Sequence, residues 1–237
     1  MSMSTSWEHN DVLLTRHNLP VILDDLSKRL LAAFGHQVRL LVHGGAVVVL
    51  HQELQSRKST RDIDYIHRAF VAEYRRYGIW DAGERLKACI AQTAQRFRLG
   101  GDWMNSHADV ALPMARDAYG REYDPIAHCS LIPKNLEKNV IYESPGLQLV
   151  GVMWAWGLAL KFVRYKKDDP DDIAAILRLA YWQRGIRWSR QSLEDWITSI
   201  CWPMGYSNYP PPHLDALRNR MRHAIHLAHG QRYAQPC

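Results

Sequence analysis

Two aspartates one residue apart are the side chains in this sequence best suited to chemistry. Asp62 and Asp64 lie in the run Asp62-Ile63-Asp64-Tyr65-Ile66, which has the pattern of a strand. Residues i and i+2 of a strand point to the same face, so the two carboxylates project side by side while Ile63 and Tyr65 point the other way. Neighbouring carboxylates repel each other unless a cation lies between them, and Mg²⁺ often links protein carboxylates to substrate phosphates. The pattern predicts a metal site at Asp62 and Asp64, for Mg²⁺ or Mn²⁺.

A phosphate site is predicted shortly before this pair. Gly44 and Gly45 directly follow the apolar run 40–42, which is short enough for a buried strand. Adjacent glycines allow a backbone path closed to other residues and let a ligand approach the main chain. The apolar stretch 46–54 predicts a helix that begins at this turn, and its first N–H groups would suit a phosphate. Each motif alone is more common as an ordinary turn or a solvated strand end, so it is their order that favours a site.

The elements around these motifs predict an α/β fold: a small mixed sheet flanked by helices, followed by a helical C-terminal part. Apolar residues recur at helical spacing in 20–34, 84–98 and 213–230. Strands are predicted at 126–132, 140–142 and 147–152. We expect a polar, loosely ordered N-terminal tail over 1–18, a core over 19–152 and a helical region over 153–237.

Composition places the chain in an ordinary class. The protein has 237 residues, a formal charge of +6 and four widely separated cysteines without metal-ligand spacing. Scattered cysteines suit a reducing compartment, and neither a signal peptide nor a run of membrane-spanning length is visible. We therefore expect a cytoplasmic protein with no membrane contact, and the moderate positive charge permits a polyanionic partner without requiring one.

A lysine within an apolar helix face is a further candidate. Trp154, Leu158, Lys161 and Tyr165 are spaced so that they share one face of a helix. A buried lysine is costly unless it meets an anion, which makes Lys161 a candidate phosphate contact. A lysine that extends from a helix edge into solvent explains the same spacing equally well.

The order of hydrophobic strand, Gly44-Gly45, short helix and Asp62-Ile63-Asp64 resembles the nucleotidyltransferase superfamily of the DNA polymerase β type. It is most similar to the branch related to abortive-infection type II (AbiEii-like) toxins and their uncharacterised fungal and bacterial relatives. The segment 56–64 is similar to the loop that precedes the metal-binding acids in that branch. The resemblance implies that Thr60 and Arg61 belong to the nucleotide-binding loop and that Asp62 and Asp64 are catalytic metal ligands.

A second matching stretch is the helix that carries Lys161, followed by a basic turn and an aspartate-rich helix start. The resemblance implies that Lys161 contacts the triphosphate. It also implies that Asp171 or Asp172 caps the next helix and orients the lysine or a basic neighbour.

A third carboxylate is the least defined part of the implied site. The segment 101–113 resembles a Trp-hydrophobic-Asn-Asp stretch of the branch, but Ser106 stands where relatives usually have an acid. Asp102 and Asp109 are the candidates to replace it. Asp109 is preferred as the third catalytic residue because the apolar residues 110–112 follow it, although a surface aspartate is equally common there.

The resemblance implies Mg²⁺-dependent transfer of a nucleoside monophosphate from a nucleoside triphosphate to an acceptor, with RNA, a protein hydroxyl or a small molecule as candidates. The alternative is a catalytically inactive module of the same fold that binds nucleotide, RNA or a protein partner, and Ser106 favours it. A third hypothesis, nucleic-acid binding through the basic helix 213–230, competes with the more common solvated basic face. The oligomeric state is left open.

Overall fold

The computed structural model describes residues 9–54 and 56–230. The chain divides into two compact units. The first contains the described residues up to His51 together with Lys58–Leu112 and Ala127–Val152. The second contains Pro113–Ile126 and the described residues of Gln52–Arg57 and of the chain from Met153 onward. The predicted core and helical region meet between residues 152 and 153, where the chain enters the second unit for the last time.

The strands of the described residues include a mixed five-stranded sheet in the first unit. They are β1 (Leu14–Thr15), β2 (Val38–His43), β3 (Ser59–Thr60), β4 (Ile63–Tyr65), β5 (Met104–Asn105), β6 (Ala115–Arg116), β7 (Glu122–Tyr123), β8 (Val140–Ser144) and β9 (Leu147–Gly151). The sheet order is β5-β4-β2-β9-β8, in which β2 pairs in parallel with β9 and antiparallel with β4. All of β9 and most of β2 are buried, so these two strands form the centre of the core.

Helices follow the apolar periodicity of the sequence. They are α1 (Leu19–Phe34), α2 (Gly45–Leu50), α3 (His67–Arg75), α4 (Ala82–Phe97), α5 (Pro125–Ser130), α6 (Pro133–Asn139), α7 (Trp154–Arg164), α8 (Asp169–Arg184), α9 (Arg190–Ile200) and α10 (Pro211–Gly230). In the first unit α1, α2 and α3 contact the sheet, and α1 also packs on α4. In the second unit α7, α8, α9 and α10 pack on one another. The predicted α/β class, with a mixed sheet, flanking helices and a helical C-terminal part, is confirmed.

The prediction of a strand over 126–132 is wrong, because most of this stretch belongs to helix α5, Pro125–Ser130. Pro125 occupies the first position of the helix, where its missing N–H is not needed. The Asp124 carboxylate accepts a hydrogen bond from the Ile126 N–H at 2.9 Å. These start signals outweigh the apolar content that suggested a strand.

The N-terminal segment differs from the expected polar, loosely ordered tail wherever it is described, and residues 1–8 of that prediction lie outside the described residues. Asn10 is buried, its N–H donates to Asp102 Oδ1 at 2.6 Å, and its side-chain amide donates to the Arg61 carbonyl at 2.6 Å. Leu14 is fully buried and pairs with Thr60 between β1 and β3. The segment therefore belongs to the first unit.

Within residues 9–54 and 56–230, no helix is both long enough and apolar enough to cross a membrane.

Candidate functional site

Of the two predicted metal ligands, Asp64 is in strand β4 and Asp62 directly precedes that strand. Ile63 and Tyr65 are buried, whereas Asp62 and Asp64 on either side of Ile63 are half-buried. The alternation expected of a strand is therefore present, with the apolar side chains in the core and the two carboxylates on the opposite, more accessible face.

Gly44 lies directly against one of these carboxylates. The register of β2 and β4 pairs His43 with Asp64, so the next residue of the chain passes the Asp64 side chain. A Cβ added at Gly44 would lie only 2.5 Å from Asp64 Oδ2, and the backbone there has φ 78° and ψ −150°, a conformation open mainly to glycine. The structure therefore brings the predicted glycine turn and the predicted acidic pair into contact.

Gly45 is the first residue of α2 and is buried. The helix ends at Leu50, four residues short of the predicted end, because His51 is extended. All six residues of α2 are buried, so the helix serves mainly as a core element. Its short length makes the charge at its N-terminus a minor contribution.

Thr60 and Arg61 precede the acidic pair but differ in accessibility. Thr60 is buried, and its hydroxyl lies 3.3 Å from Asp62 Oδ1 and 3.2 Å from the Asp62 carbonyl. This hydroxyl can donate to the carboxylate and fix its orientation. The Arg61 side chain is exposed.

Asp109 occupies a short 3-10 helix, His107–Ala111. Its Oδ2 accepts a hydrogen bond from the Arg68 backbone N–H at 2.9 Å, so it satisfies a donor in the first turn of α3. The Arg68 guanidinium donates to the Asp109 and Leu112 carbonyls at 3.2 and 2.8 Å. The other candidate, Asp102, accepts hydrogen bonds from His9 and Asn10.

Among the described residues, no group of three or more His, Cys, Asp or Glu side chains is placed to hold a metal ion. Neither Asp102 nor Asp109 joins the β4 pair in such a group. A site built from Asp62 and Asp64 alone remains the prediction, and its chemistry fits a hard divalent cation because both ligands are carboxylates.

Ser106, at the position where the sequence resemblance implies an acid, interacts with the opposite face of β4. Burial raises the pKa of Tyr65 to about 12; a hydrogen bond with the Ser106 side chain opposes this rise, and the negative charge of Asp109 adds to it. The Tyr65 side chain points away from Asp62 and Asp64 because neighbouring strand residues alternate. Ser106 and Asp109 therefore both influence the pKa of the Tyr65 hydroxyl, on the buried side of the strand.

Lys161 lies inside the second unit, among acids of the chain itself. It is only 4% exposed, and its Nζ donates to Asp172 Oδ2 at 2.7 Å and to Asp169 Oδ1 at 3.3 Å. Both carboxylates are buried. The sequence left open whether Asp171 or Asp172 contacts a basic residue. In the structure Asp172 contacts Lys161, and Asp171 is exposed.

Two arginines complete this cluster. Arg57 Nη2 donates to Asp172 Oδ2 at 2.8 Å, and Arg164 donates to both oxygens of Asp169 at 2.7 and 3.0 Å. Burial alone would raise the pKa of Asp169, but the hydrogen bonds from Arg164 and the nearby charge of Lys161 hold it below its ordinary value. The sequence signal for Asp169 was weak: Pro170 favours a helix start there, which places Asp169 in the first turn of α8.

Comparisons of this chain with protein-family models, with curated proteins and with solved structures found no match.

Proposed function

We propose that this chain is a nucleotidyltransferase that moves a nucleoside monophosphate from a nucleoside triphosphate to an acceptor. One observation carries the proposal: the Asp64 carboxylate lies against Gly44, and Asp62, two residues earlier in the chain, is half-buried like Asp64. Carboxylates beside a glycine turn are parts that phosphoryl chemistry uses, because they can hold a cation next to main-chain N–H donors. The sequence resemblance to the nucleotidyltransferase superfamily agrees with this arrangement.

In this proposal Asp62 and Asp64 hold Mg²⁺ or Mn²⁺, and Thr60 orients the Asp62 carboxylate. When bound, the cation would neutralise the charge that develops as pyrophosphate leaves. Gly44 and Gly45 carry no side chain of their own, so phosphates held by the cation would meet the main chain beside the Asp64 carboxylate. Arg61, which is exposed beside the acids, is available to the phosphates or the acceptor.

Lys161 and Asp109 are not required for this proposal. For Lys161 to contact a triphosphate, its ammonium would have to exchange at least one of the two carboxylates that it now contacts. Asp109 would have to leave the Arg68 N–H. Both roles remain predictions from the sequence resemblance.

The test is transfer of radiolabel from α-labelled nucleoside triphosphates, in Mg²⁺ or Mn²⁺, to RNA, to the protein itself and to small hydroxyl compounds. We expect labelling of one acceptor by the natural protein and its loss in Asp62→Asn and Asp64→Asn, which keep side-chain shape but remove charge. Asp11→Asn is the matched control, since Asp11 is an exposed aspartate outside the site. Label that persists in both site variants would refute the proposal.

The second candidate function is nucleotide binding without transfer, by an inactive module of the same fold. It is favoured by the absence of a three-carboxylate group among the described residues. Calorimetric titration with a nonhydrolysable triphosphate and Mg²⁺ separates the two candidates. Binding that depends on Asp64 but gives no labelled acceptor supports the second, and failure to bind contradicts both.

A further inference from the structure

Two aromatic side chains are exposed to solvent in the turn between α3 and α4. Tyr77 is 75% exposed and Trp80 is 74% exposed. Single exposed apolar residues are common, but two large exposed rings within four residues of one turn are a feature that binding surfaces use. Tyrosine and tryptophan are also enriched at binding surfaces because each combines a flat apolar ring with a polar group.

Positive charge accompanies these rings. Arg75 and Arg76 directly precede Tyr77, and the Arg75 guanidinium carbon lies 5.8 Å from the centroid of the Trp80 ring. Neither arginine makes an ion pair within the described part of the chain, while Glu73 is the nearby acid on α3. The turn therefore presents cations whose charge is not cancelled by a direct partner.

Two basic residues in the first half of α4 behave differently. Arg85 pairs with Asp81 at 2.8 Å, and Lys87 lies 3.4 Å from Glu84. The charges of Arg85 and Lys87 are therefore already matched by acids at the start of α4. The excess of positive charge on this part of the surface is thus concentrated at Arg75 and Arg76.

A cavity of about 370 Å³ opens beside the turn. Its lining includes Trp80, Arg75, His67 and Glu84. This volume is at the lower end of the roughly 300–1,000 Å³ found for small-ligand sites, so it can accept one flat ring and not a folded domain. Burial lowers the pKa of His67, which favours its neutral form, so the charges on the lining are those of Arg68, Arg75 and Glu84.

We propose that the segment Arg75–Trp80 and the adjoining cavity bind single-stranded nucleic acid. A base stacks on Trp80, a second base stacks on Tyr77, and the backbone phosphates meet Arg75 and Arg76. Stacking on aromatic rings with cations along the backbone is the general mode of single-strand binding, because every base has a π face. A duplex keeps those faces covered, so the surface discriminates against it.

This inference goes beyond transfer, since it requires neither nucleotide nor metal. If the proposed transfer also occurs, this surface indicates that the acceptor is single-stranded nucleic acid. The two proposals fail separately, because binding is measured here without triphosphate or Mg²⁺, and Asp64→Asn should bind as the natural protein does.

The experiment is fluorescence anisotropy with short labelled oligouridylate, oligothymidylate and a duplex of equal length. Replacing Trp80 or Tyr77 by Ala should weaken single-strand binding about tenfold each, within the range measured for loss of one stacked base. The double variant Arg75→Gln/Arg76→Gln should weaken binding and reduce its dependence on salt concentration, because fewer phosphates are neutralised. Thermal melting shows whether these surface variants remain folded.

The second unit supplies a matched control. Tyr119 is 84% exposed, and the Arg121 guanidinium carbon lies 5.2 Å from its ring, so the pair resembles Arg75 and Trp80. Arg121, however, is paired with Asp117 at 2.8 Å. Tyr119→Ala should therefore leave binding unchanged.

Tighter binding of oligouridylate or of oligothymidylate shows whether the surface prefers RNA or DNA. Either preference supports the inference if binding is weakened in Trp80→Ala. Four results would overturn it: no measurable single-strand binding, equal binding of duplex and single strand, equal loss in Tyr119→Ala and Trp80→Ala, or undiminished binding by the Trp80 and Tyr77 variants. Displacement of the oligonucleotide from this turn by an uncharged proline-rich peptide at similar concentration would also overturn it, because it would indicate a protein partner.

Discussion

At the scale of single residues, the contact between Gly44 and Asp64 defines the candidate site. Glycine at position 44 satisfies two separate demands: a positive φ angle and the absence of a Cβ where the carboxylate lies. The first demand is visible in the sequence as a turn signal. The second depends on the strand register, and it explains how an acid can sit directly against the main chain.

We predict that Gly44→Ala lowers the free energy of unfolding by about 2 kcal/mol or more, from backbone strain together with the collision with Asp64 Oδ2. Urea denaturation measures this loss. Gly35→Ala is a control for a positive φ without collision, because φ there is 74° and a Cβ would meet nothing within 4 Å. We expect it to cost about 1 kcal/mol.

The double variant Gly44→Ala/Asp64→Ala tests the contact itself. Removing the carboxylate should recover part of the loss, so the two substitutions should be non-additive. Additive losses would mean that the glycine is required only for its backbone conformation.

At the scale of elements, the ion cluster that joins α7 and α8 explains the buried lysine of the apolar stripe. Lys161 on α7 meets Asp169 and Asp172 on α8, and Arg57 and Arg164 share those two carboxylates. Buried charges are tolerated when they are paired and hydrogen-bonded. The cluster thus fixes α7 against the start of α8.

We predict that Lys161→Met destabilises the protein by about 3 kcal/mol, since breaking a buried ion pair leaves charge without its partner. Thermal or urea denaturation measures this change. Lys167→Met is the matched control, because Lys167 is exposed in the turn between the same helices and should change stability by less than about 0.5 kcal/mol. A neutral or stabilising Lys161→Met would show that Arg57 and Arg164 alone compensate the two acids.

At the scale of the whole molecule, both units contain buried carboxylates whose pKa lies below the ordinary value of 3.8. In the first unit, Asp25 on α1 is buried, which by itself would raise its pKa, but hydrogen bonds from Arg29 and Thr93 and the charge of Arg96 outweigh burial. Asp169 plays the same part in the second unit. The Asp25 and Asp169 carboxylates therefore bind protons more readily in the unfolded chain than in the folded chain.

We predict that the free energy of unfolding falls as the pH drops below about 4 and the folded carboxylates become protonated. Asp25→Asn should be less stable than the natural protein at pH 6, and the gap between them should narrow in acid because the charge that stabilises Asp25 is being lost. Urea denaturation across this pH range measures both effects. A gap that stays constant would contradict a lowered pKa at Asp25.

Much of this organisation follows from local patterns in the chain. The two-residue alternation around Asp62 and Asp64 arises from the geometry of any strand with one buried face. Helical spacing of apolar residues likewise predicted α1, α4 and α10, because a helix must bury one side. Where local signals competed, as at α5, apolar content alone gave the wrong element.

The sequence by itself determined the fold class, the strand that bears the acids and the glycine turn, because each depends on residues close together in the chain. Only the tertiary structure decided that Ser106 and Asp109 interact with Tyr65, on the buried side of β4. It also decided which residues form hydrogen bonds and ion pairs with the buried polar side chains. Asn10 meets Asp102 across 92 residues, and Arg57 meets Asp172 across 115 residues. Such pairs are set by how the elements pack, and spacing along the chain carries no information about them.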